Sequence, residues 1–246
     1  MKRTISAMRG PGSLNHNRRS FTAENVDPKR SSLNVVYRDE PIQKVYHELF
    51  DEAVKRYNAK QKRKDRCITD YYEHLRTGKQ EKPFHELIVQ IGNKDDMGVL
   101  TENGALAKEL LDEYMQGFQE RNPTLRVFGA FLHMDEATPH LHIDFVPYVS
   151  GWKGKGLDTK VSLKQALKAL GFAGGSKRES ELNQWINAEK EQLAKVMERH
   201  GIEWEQKGTH EEHLSVLDFK KQERSKEVAA LEAAKQECQT DLTEMQ

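Results

Sequence analysis

Two strand-like runs joined by a short polar connection constrain this chain more than anything else in it. Arg126–Met134 is rich in Val and Phe, and Leu141–Tyr148 follows six residues later in similar style. Such runs, bounded by turn residues, predict strands. A connection through Pro139 folds the two into a hairpin. His140 and His142 lie two apart on the second strand, so both side chains leave the same face. His133 ends the first strand, and the hairpin brings it beside the pair. Three imidazoles converging from a rigid sheet predict a metal site with open positions, with His133, His140 and His142 as ligands. Imidazole suits Zn, Mn, Fe, Co or Ni, and ligand type alone does not choose among them. Asp135 and Glu136, in the turn, are candidates for outer-shell groups, a fourth ligand, or a base acting on water.

A Lewis-acid metal on such a sheet can polarise a phosphoryl oxygen and offset charge on a leaving oxygen. The site then needs a nucleophile. Water makes a hydrolase; a side chain makes a covalent transferase.

The rest of the chain predicts an α+β domain with a central, mostly antiparallel sheet flanked by helices. Residues 1–32, rich in Arg, Ser, Asn, Gly and Pro, read as irregular backbone. A short strand follows at Leu33–Tyr37, and residues 41–76 read as helix, with Val45, Leu49, Ala53 and Tyr57 at helical spacing. Phe84–Ile91 reads as a strand and residues 101–120 as an amphipathic helix ended by Asn122-Pro123. Residues 161–170, 178–200 and 211–246 read as helices, the last a charged helical or coiled-coil extension. The expected organisation is a core over 1–178, a helical part over 179–210 that packs on it, and the extension over 211–246.

Composition limits the classes available. Charged residues make up 32% and hydrophobic ones 36%, and no run reaches the apolar length of a membrane span. The basic N-terminus lacks the apolar core of a signal peptide, and Cys67 and Cys238 are too few and too far apart for a disulfide framework. The expected setting is cytoplasmic, with no membrane insertion. Lys and Arg balance Asp and Glu at 39 each, but unevenly. Residues 1–30, 55–66 and 150–178 each carry seven basic residues against two, one and one acidic, whereas residues 179–246 carry nine against sixteen. The basic segments suit a phosphate backbone.

The segment His133-Met-Asp-Glu-Ala-Thr-Pro-His140-Leu-His142, followed by Val146-Pro147, closely resembles the histidine-hydrophobe-histidine motif of plasmid mobilisation relaxases of the MobV group, also called Mob/Pre or plasmid recombination enzymes. His16-Asn17-Arg18-Arg19 resembles that family's first motif, and Asp27–Asn34 the segment after it. The resemblance runs in matching order over roughly residues 12–220. It implies a relaxase-type domain acting on single-stranded and hairpin DNA at an origin of transfer. It implies strand-specific transesterification with a divalent ion, Mn²⁺ or Mg²⁺, and a covalent 5′-phosphate adduct that is later rejoined. It also implies that His16 is the nucleophile; Glu136, as the candidate base, and Arg19, which with Arg18 suits phosphate, complete the expected catalytic set. Tyr37 and Tyr46 are the rival nucleophiles. Arg18, Arg30 and Arg63 are phosphate candidates, and the loop around Trp152 and Lys153 a base and phosphate contact. A coupling protein and a homodimer through the C-terminal helix are the expected protein partners. The alternatives are a rolling-circle replication initiator of the same superfamily, a water-using phosphoesterase, and a DNA-binding module with a structural metal.

Overall fold

The structure is a computed structural model. The structure describes residues 1–78, 80–176 and 179–207, together with residues 221, 224, 225, 228, 229, 231, 232 and 235. In chain order the elements are β1 (Lys2–Arg3), β2 (Ile5–Arg9), α1 (Leu14–Asn17), a 3₁₀ segment (Pro28–Leu33), β3 (Val35–Asp39), α2 (Ile42–Ala59), a 3₁₀ turn (Lys64–Arg66), α3 (Tyr71–Thr77) and β4 (His85–Ile91). Then come α4 (Glu102–Gln116), α5 (Phe118–Arg121), β5 (Leu125–His133), β6 (His140–Val149), β7 (Lys160–Val161), α6 (Leu163–Ala169), α7 (Glu181–Arg199) and β8 (Glu203–Trp204).

The central sheet has the order β2-β4-β6-β5-β3, every neighbouring pair antiparallel, with β7 added on β6. The expected hairpin is β5–β6, paired from Leu125 opposite Pro147 to His133 opposite His140 with a shift of register between Val127 and Gly129. Strand alternation sorts β6 between two environments. Leu141, Ile143 and Phe145 enter the main core, where α4 supplies Leu110, Leu111 and Tyr114 and α7 supplies Trp185, Leu193 and Met197. His140, His142, Asp144 and Val146 leave the other face. Val146 and Phe128 there meet Ile42, Val45, Tyr46 and Phe50 of α2. One half of this second face is therefore closed by an aromatic cluster, and the other half carries the histidines.

Buried polar groups also hold α7 in place. Glu189 of α7 accepts from Tyr114 Oη at 2.6 Å, Asn122 Nδ2 at 2.9 Å and Arg121 Nη2 at 3.1 Å, while Trp185 Nε1 donates to Asn122 Oδ1 at 2.8 Å.

Three sequence expectations are corrected. Residues 1–32 are not irregular throughout: β2 pairs along β4 from Ile5–Ile91 to Arg9–Leu87 and closes one side of the sheet. Its inward positions are only Ile5 and Ala7, so its alternation is too weak to read locally; long-range pairing makes the strand. The helix expected over 41–76 is broken after Ala59, where five cations crowd into Lys60–Arg66, and α3 starts afresh with Asp70 capping Glu73 N at 2.9 Å. The strand expected at Leu33–Tyr37 runs from Val35 to Asp39.

Contacts divide the chain into Met1–Gln206 and Lys207–Gln246. Most of the extension expected over 211–246 lies outside the described residues; those described there are helical and exposed. No helix among the described residues is long and apolar enough to cross a membrane.

Candidate active site

The β5–β6 hairpin brings the three predicted ligands together. Ring centroids lie 5.3 Å apart for His133–His140, 4.6 Å for His133–His142 and 4.9 Å for His140–His142. Each ring spends one nitrogen on a neighbour. His133 Nε2 is 2.9 Å from the Asn17 carbonyl and His140 Nδ1 is 2.8 Å from the Thr138 carbonyl. His142 Nδ1 is 2.6 Å from Glu86 Oε1. Carbonyls and carboxylates only accept, so these three nitrogens carry the protons. The lone pairs are left on His133 Nδ1, His140 Nε2 and His142 Nε2. Of these, His133 Nδ1 and His142 Nε2 are buried without a partner among the described residues. Burial, then the neighbouring imidazoles, hold His133 down to about 2 and His140 to about 4, which keeps both rings neutral. Neutral rings oriented by acceptors behind them are the arrangement of metal-ligating histidines, so the donor set fits a divalent ion.

His16 joins this group from α1. Its ring centroid is 5.5 Å from that of His133 and 5.4 Å from that of His142. One nitrogen from each of the four histidines falls within 4.8 Å of the others. Glu136 Oε1 is 3.4 Å from His16 Nε2, 3.6 Å from His140 Nε2 and 3.9 Å from His133 Nδ1. Burial raises the Glu136 carboxyl, but His16, His140 and Arg19 outweigh it and hold the group at about 2, so it is a carboxylate.

Arg19 organises this pair. Nη2 donates to Glu136 Oε1 at 2.8 Å, and Nη1 lies 3.2 Å from His16 Nε2 and 3.1 Å from the His16 carbonyl. The remaining donors go to Asp135, from Nε at 3.0 Å and Nη2 at 2.6 Å. Arg19 has φ 55°, the only left-handed non-glycine among the described residues. Such a backbone persists only when its surroundings over-determine it. Here the two-pronged bond to Asp135 does so.

Asp135 is fully buried and also accepts from Ser31 Oγ at 2.8 Å and Asn34 Nδ2 at 2.7 Å. Burial raises its carboxyl, but the bonds from Arg19, Asn34 and Ser31 outweigh that and hold it well below the usual carboxylate range. Three of these bonds fall on Oδ2 and one on Oδ1, and a carboxylate oxygen of Asp135 lies within 4.8 Å of ligand atoms of His133 and Glu136. Asp135 ties residues 19–34 to the hairpin turn. Arg30 does the same from outside, donating to the carbonyls of Met134 at 3.4 Å and Glu136 at 3.1 Å.

The remaining sequence candidates stand apart. Arg18 pairs with Asp39 at 2.7 Å and Arg63 with Asp65 at 2.6 Å. Trp152 has the Lys160 ammonium over its ring at 4.0 Å; Lys153 is exposed beside it. Both lie beyond Val149, at the end of β6 away from the histidines; His142 to Val149 alone spans about 23 Å of strand. Neither rival tyrosine is free. Tyr37 donates to Asp112, Tyr46 donates to the Pro83 carbonyl at 2.6 Å, and burial pushes both phenols well above their usual range.

Sequence reasoning missed Glu86, Asn17 as a structural centre, and Asp144. Glu86 Oε2 accepts from Gly12 N at 2.7 Å, and a Cβ on Gly10 would meet that oxygen at 2.0 Å. Gly129 lies opposite Asp144 across the hairpin, and a Cβ there would stand 3.0 Å from Asp144 Oδ2. Two glycines thus make room for two buried carboxylates. Burial, then the charge of Glu86, raises the Asp144 carboxyl to about 7, against the lowering bond from Asn17.

The fold is similar to that of a relaxase domain. The MobM relaxase domain (MOBV; Mob_Pre), Mn-bound and bound to 22 nucleotides of plasmid pMV158 oriT DNA, superposes with a TM-score of 0.53 at 21% identity, over 89% of this chain and 99% of that one. The form carrying a 3′ thiophosphate on the DNA gives 0.53 at 22% identity, over 89% and 98%. The chain belongs to the plasmid recombination enzyme (Mob_Pre) family, whose model matches residues 18–221. A plasmid recombination enzyme of Bacillus sp is 25% identical over 226 residues, 88% of this chain and 44% of that relative, so the chain spans less than half of its length.

Proposed function

We propose that the chain is the catalytic part of a plasmid mobilisation relaxase, which nicks one strand at an origin of transfer by transesterification and later rejoins it. The observation that carries this reading is the placement of His16 within 4.8 Å of three histidine nitrogens, two of them buried without a partner. His133, His140 and His142 would hold the divalent ion, for which the Mn-bound MobM domain argues for manganese. That ion supplies a Lewis acid that offsets charge on the scissile phosphate and the leaving oxygen.

The side chains supply the rest. A lone pair of His16 attacks phosphorus, the P–N bond forms, and the P–O3′ bond breaks with its electron pair leaving on O3′, which takes up the ring proton relayed through Glu136. Glu136 Oε1, 3.4 Å from Nε2, accepts the ring proton. Arg19 holds Glu136 and the His16 ring in one arrangement, a positioning role, since its guanidinium is engaged with Asp135, Glu136 and His16. Tyr37 and Tyr46 are bound elsewhere, which leaves His16 as the nucleophile the geometry favours. Arg18, Arg30, Arg63, Trp152 and Lys153 are the proposed DNA contacts. Trp152 and Lys153, beyond the far end of β6, would meet DNA removed from the cleaved bond. A cytoplasmic setting, a coupling protein and self-association through the C-terminal helix go with this reading.

The test is cleavage of a labelled single-stranded oligonucleotide from the element's own origin, with Mn²⁺, Mg²⁺ or EDTA, resolved on a denaturing gel. A metal-dependent protein–DNA adduct that disappears in His16→Ala is expected. An adduct that survives in His16→Ala moves the nucleophile. Nicked product without adduct makes the enzyme a hydrolase.

A further inference from the structure

Asn17 sits between the proposed nucleophile and Arg18, yet it is 2% exposed and faces the sheet. Its Nδ2 donates to Glu86 Oε1 at 2.9 Å and to Asp144 Oδ2 at 2.9 Å. An amide nitrogen has two protons, so both are used. Glu86 and Asp144 are register partners on β4 and β6, so the amide stands between two facing carboxylates. Glu86 Oε1 is the same oxygen that accepts from His142 Nδ1. On its main-chain side, the Asn17 carbonyl accepts from His133 Nε2 at 2.9 Å. One residue therefore reaches the groups behind two of the three candidate ligands while its chain neighbour carries the nucleophile.

We propose that Asn17 is a positioning residue that couples the two halves of the site: it sets the orientation of His133 and His142 towards the metal and, through the four-residue α1, the placement of His16. The coupling to His16 rests on the relaxase reading above. The chemistry explains why an amide is needed. A carboxylate at 17 adds a third acceptor beside two others, and an apolar side chain takes from Asp144 Oδ2 its Asn17 donor and leaves Glu86 only Gly12 N and His142 Nδ1. In either case Glu86 Oε1, the oxygen behind His142, loses its Asn17 donor and Glu86 is held by Gly12 N alone on its other oxygen. Outer-shell partners of ligating histidines are commonly worth 10–100-fold in metal affinity.

The experiment compares wild type with Asn17→Leu, nearly the same shape without donors, and with Asp144→Asn, which keeps the bond to Glu86. Mn²⁺ affinity is read from the free-ion electron paramagnetic resonance signal, and the single-turnover rate of adduct formation is measured at saturating Mn²⁺. Glu189→Gln, in the separate α7 network, controls for lost stability. Asn17→Leu is expected to weaken Mn²⁺ binding by about 10–100-fold and to stay slow in adduct formation after the metal is saturated. Asp144→Asn is expected to lose less on both counts, and Glu189→Gln to bind Mn²⁺ as wild type. Wild-type Mn²⁺ affinity in Asn17→Leu overturns the proposal. So does full recovery of its rate at saturating metal, or an equal loss of affinity in Glu189→Gln. If the leucine variant does not fold, Asn17→Ser, which keeps a single donor, is read by the same criteria. If wild type forms no adduct while Asn17→Leu still weakens Mn²⁺ binding, the relaxase reading fails and the link from Asn17 to the metal shell is supported.

Discussion

Replacing Asp135 by Asn separates two roles that the residue's place in the turn leaves open. The carboxylate is fully buried and accepts four hydrogen bonds, two from Arg19 and one each from Ser31 and Asn34. An asparagine keeps one acceptor oxygen, points an amide at the remaining donors, and removes the charge that faces Arg19. Bonds to charged groups are worth about 1.5–3 kcal/mol each, and breaking a buried pair costs about 3–5 kcal/mol. Glu136 still takes one Arg19 nitrogen at 2.8 Å, and release of the left-handed Arg19 backbone returns about 1 kcal/mol. The expected loss is therefore about 3 kcal/mol of folding stability, a variant that still folds, read by urea unfolding of the metal-free protein. The loss should also depend on pH. The folded-state carboxyl lies below its unfolded value of about 3.9, so the stabilisation is complete above that pH and fades as pH falls through the lower folded value. Wild type and variant should converge in acid. Mn²⁺ affinity should change less than stability, because no ligand nitrogen touches Asp135. A loss under about 1 kcal/mol together with abolished metal binding would refute the reasoning and make Asp135 a ligand.

Other expectations test the remaining parts of the structure. Glu86→Gln should weaken Mn²⁺ binding by about 10–100-fold in a calorimetric titration, because His142 loses its charged acceptor; unchanged affinity would remove Glu86 from the site. The metal-free protein should lose stability as pH falls below about 6.5, since the unfolded histidines take up protons while folded His133 and His140 hold out to about 2 and about 4. Equal urea midpoints at pH 7 and pH 5 would contradict that. Saturation with Mn²⁺ at a hundred times its Kd should stabilise the fold by about 2.7 kcal/mol, and EDTA should reverse it; a melting temperature indifferent to Mn²⁺ would argue against a preformed site. Glu189→Leu should cost about 3 kcal/mol by stranding Tyr114, Asn122 and Arg121 in the interior, without altering Mn²⁺ affinity; a stability loss below about 1 kcal/mol would mean the network is dispensable.

What the sequence determined by itself was local. His140-Leu-His142 shares a face because strands repeat every two residues, and His133 joins them because the connection between the runs is too short to do anything but reverse. The antiparallel hairpin, the amphipathic α4 and the helices near 163 and 181 are legible for the same reason: the period and the turn chemistry lie within a few residues of one another. The association of His16 with the hairpin entered through family likeness, since nothing within a few residues of it points to a partner 117 positions away. Tertiary structure decided the rest. Glu86 reaches His142 because β4 pairs with β6 in one particular register, and a shift of one residue would turn it into the opposite core. Asp135 and Glu136 are adjacent and chemically alike, yet one is spent on holding Arg19 and the other faces the histidines; only the path of residues 18–34 over the turn separates them. β2, Asn17 and Asp144 carry almost no local signal, because each gains its role from a contact with a distant segment. Burial of a polar group is a property of the packed chain, and its partners are those the fold brings to it.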